Sequence, residues 1–201
     1  MRSWTRRVAL DYAQIYLVGD PDDGDTQEAL EDALSADGVG RRGQAVVVLS
    51  PHHHSFDMPL RVELWDGPPP LDAEEWQEAF DTSLEIRYDG LIYESPTVAV
   101  ERFDIDEGLY AIRICGAGFT AASVAQTADS ADWWRVQLWP TESAIRPRRV
   151  GRWEGQSSAV RPAWAHEIPI ASKPADDPWT ELRAITGRLE DLRRERGWDF
   201  Y

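Results

Sequence analysis

Three consecutive histidines, His52, His53 and His54, stand just ahead of Asp57, and imidazole with carboxylate is a donor set that zinc and other borderline metals accept. Successive residues of a strand point to opposite faces, so at most two of these rings can converge without a special turn. The histidines lie between two segments that read as strands, and a solvated hairpin tip is the plainer expectation for them. No metal site is assigned there. A second group is acidic: Asp20, Asp22, Asp23, Asp25, Glu28, Glu31 and Asp32 crowd into one short stretch. With Asp20 at the first position of a calcium loop, Asp22 and Glu31 fall on ligand positions. The position that needs glycine for the sharp turn is Asp25, however, and Gly24 comes one residue early. For nucleophilic catalysis the chain offers Ser50, Ser55 and Cys115, with neither a GxSxG elbow nor a thiol signature around them. Gly116-Ala117-Gly118 lacks the remaining glycine and the following helix of a nucleotide fingerprint. No catalytic residue and no cofactor are therefore expected.

The single cysteine, Cys115, cannot form an internal disulfide, and it alternates in phase with Leu109, Ala111 and Arg113. A packed, unreactive thiol is expected. Trp65, Trp133, Trp134 and Trp139, with Tyr12, Tyr16 and Tyr93, could line a face on which sugar rings stack. Strand alternation sends Trp133 and Trp134 to opposite faces, so one of them must leave the core side. Packing in the core and under a C-terminal extension is the plainer role for these rings.

The elements that must position these groups are mostly strands. Arg7 to Val18 alternates throughout, Gln44 to Ser50 is a β-branched run, and Leu60 to Trp65 alternates again, so that the last two could pair across Pro51 to Pro59. Leu84 to Tyr88 and Leu91 to Glu94 flank Asp89-Gly90, a dipeptide suited to a type I′ hairpin. Thr97 to Phe103 and Leu109 to Cys115 read as a further hairpin, and Asp132 to Trp139 as a final aromatic strand. About eight such strands can bury their apolar faces only against a second sheet, which predicts an all-β fold, an antiparallel β-sandwich, over residues 4–140. Two helices are expected. A short acidic one is capped by Asp25 or Thr26, with Ala29, Leu30, Ala33 and Leu34 on its inner face. An amphipathic one over 177–197 starts at Asp177-Pro178 and stops at Gly197. Residues 141–201 thus read as a C-terminal extension: an irregular wrap or linker over 141–176, then the helix.

The chain has 201 residues, with 36 acidic against 21 basic side chains and a net charge of -15. A length of this order suits one domain, and 42% apolar residues are enough to form a core. No apolar run approaches the roughly 20 residues of a membrane span, and no leader is evident at the start, so a cytoplasmic location without membrane attachment is expected. Residues 1–110 hold 24 acidic and 8 basic side chains, whereas residues 111–201 hold 12 and 13. A field of that sign repels phosphates, which argues against direct nucleic-acid binding, and it attracts basic partners over roughly 8 Å in physiological salt.

Several segments together resemble a known family. They are Leu10-Asp-Tyr-Ala-Gln-Ile-Tyr-Leu17, the acidic helix ending near Gly38, the strand at Ala45 to Leu49, the stretch Tyr88-Asp-Gly-Leu-Ile-Tyr-Glu-Ser95, and Phe103-Asp-Ile-Asp-Glu-Gly-Leu-Tyr-Ala-Ile-Arg-Ile114. In these the chain resembles the ComJ family, competence-locus inhibitors of a DNA-entry nuclease, over roughly residues 4–139. It departs in the loop containing Pro68-Pro69-Pro70, in the histidine run and in everything after Pro140. The resemblance implies a non-catalytic protein that binds a nuclease or other toxin-like enzyme. The contact surface expected for such a basic partner is Asp20, Asp22, Asp23, Asp25, Glu28, Glu31 and Asp32. Two other classes stay open: a sandwich that binds a carbohydrate or other small ligand, and a structural protein that forms homo-oligomers through its C-terminal helix.

Overall fold

The computed structural model describes residues 1–22, 25–52, 55–70, 72, 76–88, 90–97, 100–124, 131–155 and 163–166, all within a compact unit spanning Met1–Ile168. Asp23, His53, His54, the linker beyond residue 166 and the expected helix over 177–197, with any oligomer contact it makes, lie outside the described residues. The elements run β1 (Arg2–Leu10), β2 (Gln14–Val18), α1 (Thr26–Ser35), β3 (Val39–Arg42), β4 (Ala45–Leu49), β5 (Phe56–Leu64), β6 (Glu78–Ile86), β7 (Leu91–Glu94), β8 (Val100–Phe103), β9 (Gly108–Ala117), α2 (Ala121–Val124), β10 (Trp133–Pro140), β11 (Arg148–Gly151) and α3 (Ala163–His166). They form a six-stranded sheet in the order β1-β5-β10-β9-β6-β11 and a five-stranded sheet in the order β3-β4-β2-β7-β8. The fold is mostly β as expected, but the strands among the described residues number eleven rather than eight. The larger sheet is also mixed, because β5 and β10 run parallel.

Residues from both sheets merge in one apolar cluster. Val8, Leu60, Val62, Ile112, Ile114 and Trp134 come from the larger sheet, and Ile15, Leu17, Val46, Val48 and Tyr93 from the smaller. This shared cluster explains four departures from the local sequence reading. The stretch Arg7 to Val18 is two strands in different sheets, broken at Asp11 to Ala13, where Tyr12 and Ala13 adopt φ of 50° and 62°. The break flips the alternation, so that Val8 and Leu10 before it and Ile15 and Leu17 after it all face the core. The hairpin expected at Asp89-Gly90 is a crossing instead: β6 pairs with β9 and β11, while β7 pairs with β2 and β8. Gly90 is needed there for close approach as well as for its φ of +100°, because a Cβ would lie 2.2 Å from the Phe103 carbonyl oxygen. In the same way β8 and β9 belong to different sheets, as do β4 and β5, so neither of those expected pairings forms. In each case the chain passes from one sheet to the other.

The stretch after Pro140 was expected to be irregular. It supplies β11, antiparallel to β6 with a register shift between Arg149 and Gly151, and Trp153 packs against the main cluster. Among the described residues no helix is long and apolar enough to cross a membrane.

Cys115 is buried on β9, in the phase the sequence indicates, and burial pushes its thiol up to about 12. Native protein at pH 8 should therefore resist iodoacetamide and react only when unfolded in urea, as mass spectrometry would read. Rapid modification of the folded protein would contradict this placement.

Candidate functional site

Helix α1 carries most of the predicted acidic surface. Asp25 is its N-cap, and its carboxylate accepts the Glu28 backbone N–H at 2.9 Å. Asp20 is buried and closes a turn by accepting the Asp22 N–H at 2.9 Å. These two carboxylates hold the loop and the helix start. Asp32 pairs with Arg42 at 2.7 Å, and Glu28 stands 3.8 Å from the same guanidinium. The hydrogen bond that Arg42 donates to Asp32, together with the charge of that carboxylate, raises the Arg42 pKa. Glu31 is exposed and accepts from Gln27 at 3.1 Å, and Asp22 is exposed. The set therefore divides into two structural carboxylates, two sharing an arginine and two facing solvent. Among the described residues no group of three His, Cys, Asp or Glu side chains is placed to hold a metal ion.

The helix is seated on the outer face of the smaller sheet, where Ala29 and Ala33 pack with Tyr16, Ala45 and Val47, and Leu30 fills the margin. Leu34 does not join them and is 65% exposed. The backbone of α1 lies so close to β3 that the contact stripe narrows to the Ala29–Ala33 line, one helical turn apart. Leu34, about 100° around the helix from Ala33, turns outward.

A different polar group, absent from the sequence expectations, collects where β4 and β6 meet the turns beside them. The side chains of His52 and Asp132 are both fully buried, with Nδ1 2.6 Å from Oδ2. The ring stands edge-on to Phe56 and Phe119, with centroids at 5.6 and 5.8 Å. His52 is thus a core residue rather than part of a solvated tip. Its Nε2 has no hydrogen-bond partner, and Ser50 Oγ accepts from the His52 backbone N–H at 3.2 Å rather than facing the ring nitrogen. The Asp11 carboxylate accepts from the hydroxyls of Ser55 and Thr97. Glu78, also buried, accepts from Arg149 Nε at 2.8 Å and from the Trp153 N–H at 3.1 Å. Burial pushes the Glu78 carboxyl above the usual carboxylate range despite these donors.

The outer face of the larger sheet is polar yet enclosed. Register aligns Glu63, Gln137, Arg113, Asp81 and Arg148 in a row across β5, β10, β9, β6 and β11. Asp81 accepts from Arg113 Nε at 2.8 Å and from Arg148 at 3.0 Å. Glu63 accepts from Arg61 at 2.7 Å, from Gln137 at 3.0 Å and from the Trp65 indole at 3.1 Å. Burial alone would push Glu63 up, but these three hydrogen bonds hold it below the usual range. Arg135 pairs with Asp72 at 2.7 Å beneath the Trp76 ring, 4.5 Å from its centroid. As alternation requires, Trp134 faces the core and Trp133 faces the opposite way, packing with Ala117, Ala165, Trp76 and Trp164. The proposed sugar-binding set is not brought together: Tyr16 and Tyr93 belong to the smaller sheet, and Tyr12 is exposed on the β1–β2 turn.

No family model matches the sequence, and no curated protein does. Two solved structures are similar to the chain. One is ComJ, inhibitor of the DNA degrading activity of NucA, from Bacillus subtilis, at 15% identity and a TM-score of 0.46, covering 70% of this chain and 98% of that one. The other is the product of crocagin biosynthetic gene J, at 14% identity and a TM-score of 0.47, covering 71% of this chain and 100% of its own. Both are likenesses of fold.

Proposed function

We propose that this chain is a non-catalytic protein that binds a basic protein partner through the exposed carboxylates around α1, and that the partner is an enzyme with a phosphate-holding cleft, such as a nuclease. The observation that carries this reading is the seating of the acidic helix. Ala29 and Ala33 are fully buried against the smaller sheet, so Glu28 and Glu31 are presented from a rigid helix, with Asp22 exposed in the turn that precedes it. Clefts that hold phosphate are basic, and a fixed acidic face is drawn into such a field and competes with nucleic acid there.

The test uses the triple variant Asp22→Asn, Glu28→Gln, Glu31→Gln and leaves Asp25 in place, because removing that cap would cost about 1 kcal/mol of helix stability. The partner is a DNA-degrading enzyme of the same cell, assayed for inhibition and for binding kinetics. Association should slow several-fold at low salt, the difference should fade as salt screens the charges, and dissociation should change little. An unchanged association rate and salt dependence would overturn the assignment, as would a failure to inhibit any DNA-degrading activity of that cell.

A further inference from the structure

Beyond partner binding, the C-terminal end of α1 borders a cleft of about 300 Å³, near the lower end of the range for small organic ligands. Its lining includes Leu34, Leu49, Glu78, Arg149, Arg152 and Trp153. We infer that this cleft binds a small amphipathic organic anion, an aryl or acyl carboxylate whose apolar body lies against Leu34, Leu49 and Trp153 and whose charged head meets Arg152.

Three observations support that choice of ligand. The chain as a whole carries -15, yet the lining sets Arg149 and Arg152 against Glu78, and with Asp37 paired to Arg152 the cleft is locally balanced rather than acidic. Arg149 is committed, with its Nε 2.8 Å from Glu78. Arg152 is not: its partner Asp37, 2.9 Å away, forms a pair whose side chains are 57% and 67% exposed. Solvated pairs of that kind contribute little, so a ligand carboxylate can displace Asp37 at small cost. Leu34 is the third observation. A large apolar side chain left 65% exposed on a helix that is otherwise acidic outside shares the cleft lining with Arg149 and Arg152.

Isothermal titration calorimetry of the full chain with 2-naphthoate, and with the uncharged 2-naphthamide, tests the inference. One saturable site is expected for naphthoate, with the amide about tenfold weaker, the order of effect that one charge-assisted hydrogen bond supplies. Arg152→Ala should weaken naphthoate by a similar factor, whereas Arg146→Ala, which removes an exposed arginine outside the cleft, should leave it unchanged. Leu34→Glu, in the same lining, is a second variant that should also weaken binding. The triple carboxylate variant used against the protein partner should bind naphthoate as the parent does, which separates failure of this inference from failure of that reading. Absence of saturable heat at millimolar naphthoate, equal binding of the amide, or Arg152→Ala and Leu34→Glu variants that bind like the parent would each overturn it.

Discussion

Asp132→Ala is expected to cost about 3 kcal/mol of folding stability, a loss on the scale of breaking a buried ion pair from one side. The substitution removes the 2.6 Å partner of His52 Nδ1 from a site in which both side chains are 0% exposed. Because Nε2 already has no partner, the imidazole would then hold two unpaired nitrogens between Phe56 and Phe119. Each orphaned buried polar atom carries a penalty of about 1–3 kcal/mol. The asymmetry of that penalty gives a second expectation. His52→Leu with Asp132→Leu removes both polar groups, and the double variant should recover much of the loss and lie well above the sum of the two single changes. Urea denaturation of the parent, His52→Leu, Asp132→Leu and the double variant closes the cycle, with Asp132→Ala measured beside them. A loss below about 1 kcal/mol for Asp132→Ala, or strict additivity in the double variant, would show that the pair is not the coupled unit described here.

That pair also marks the boundary of what could be read from the chain alone. The sequence reads His52 as part of a solvated tip because its partner is 80 residues away, and no local pattern announces which strand begins beside it. Features decided within one element were recovered. The Asp25 cap and its Glu28 N–H follow from side-chain chemistry over three residues, and the phase of Cys115, on the face of Ala111 and Arg113, follows from alternation along β9, whose two faces are both buried. Features decided between layers were not. The segment Arg7 to Val18 holds its own clue, since Val8 and Leu10 fall in one phase and Ile15 and Leu17 in the other, so a single strand could not bury all four. The break was hidden because Tyr12 and Ala13, rather than glycine or asparagine, take the positive φ values that a turn between them requires. Asp89-Gly90 misled in the opposite way. Its turn chemistry is real, but whether a tight turn returns a strand within its sheet or carries it across the core depends on apolar residues of both neighbours, and Leu84, Ile86, Leu91 and Tyr93 all belong to one cluster. Nor does β11 show alternation, since Arg148 and Arg149 are placed by the carboxylates of Asp81 and Glu78 on β6 rather than by apolar burial. The acidic candidate surface was therefore visible as composition, while the division of its members between structural and exposed roles required the fold.

Gly40→Ala should be among the most damaging single-methyl additions to the chain, and it should reach the proposed binding face through packing alone. A Cβ on Gly40 would lie 2.0 Å from the carbonyl oxygen of Ala29 and 2.5 Å from the backbone nitrogen of Ala33. Both opposing atoms belong to the α1 backbone, so no side-chain rotation relieves the contact, and the helix as a whole must lift from β3. Lifting it opens the packing of Ala29 and Ala33 on Ala45 and Val47. Overpacking usually costs about 1–3 kcal/mol, and a clash against helix backbone belongs at the upper end. For a unit of this size that corresponds to a fall in Tm of roughly 6–12 °C. Gly67→Ala supplies the control, since a Cβ there meets nothing within 4 Å, and its Tm should stay near that of the parent. In partner binding, Gly40→Ala should slow association at low salt, because Glu28 and Glu31 move with the helix. Adding the triple carboxylate substitution to Gly40→Ala should then slow it less than the same substitution does in the parent. A Gly40→Ala protein with the melting temperature of Gly67→Ala would refute the close seating of α1. One that melts early yet associates at the parental rate would leave the helix seated as described but remove it from the partner contact.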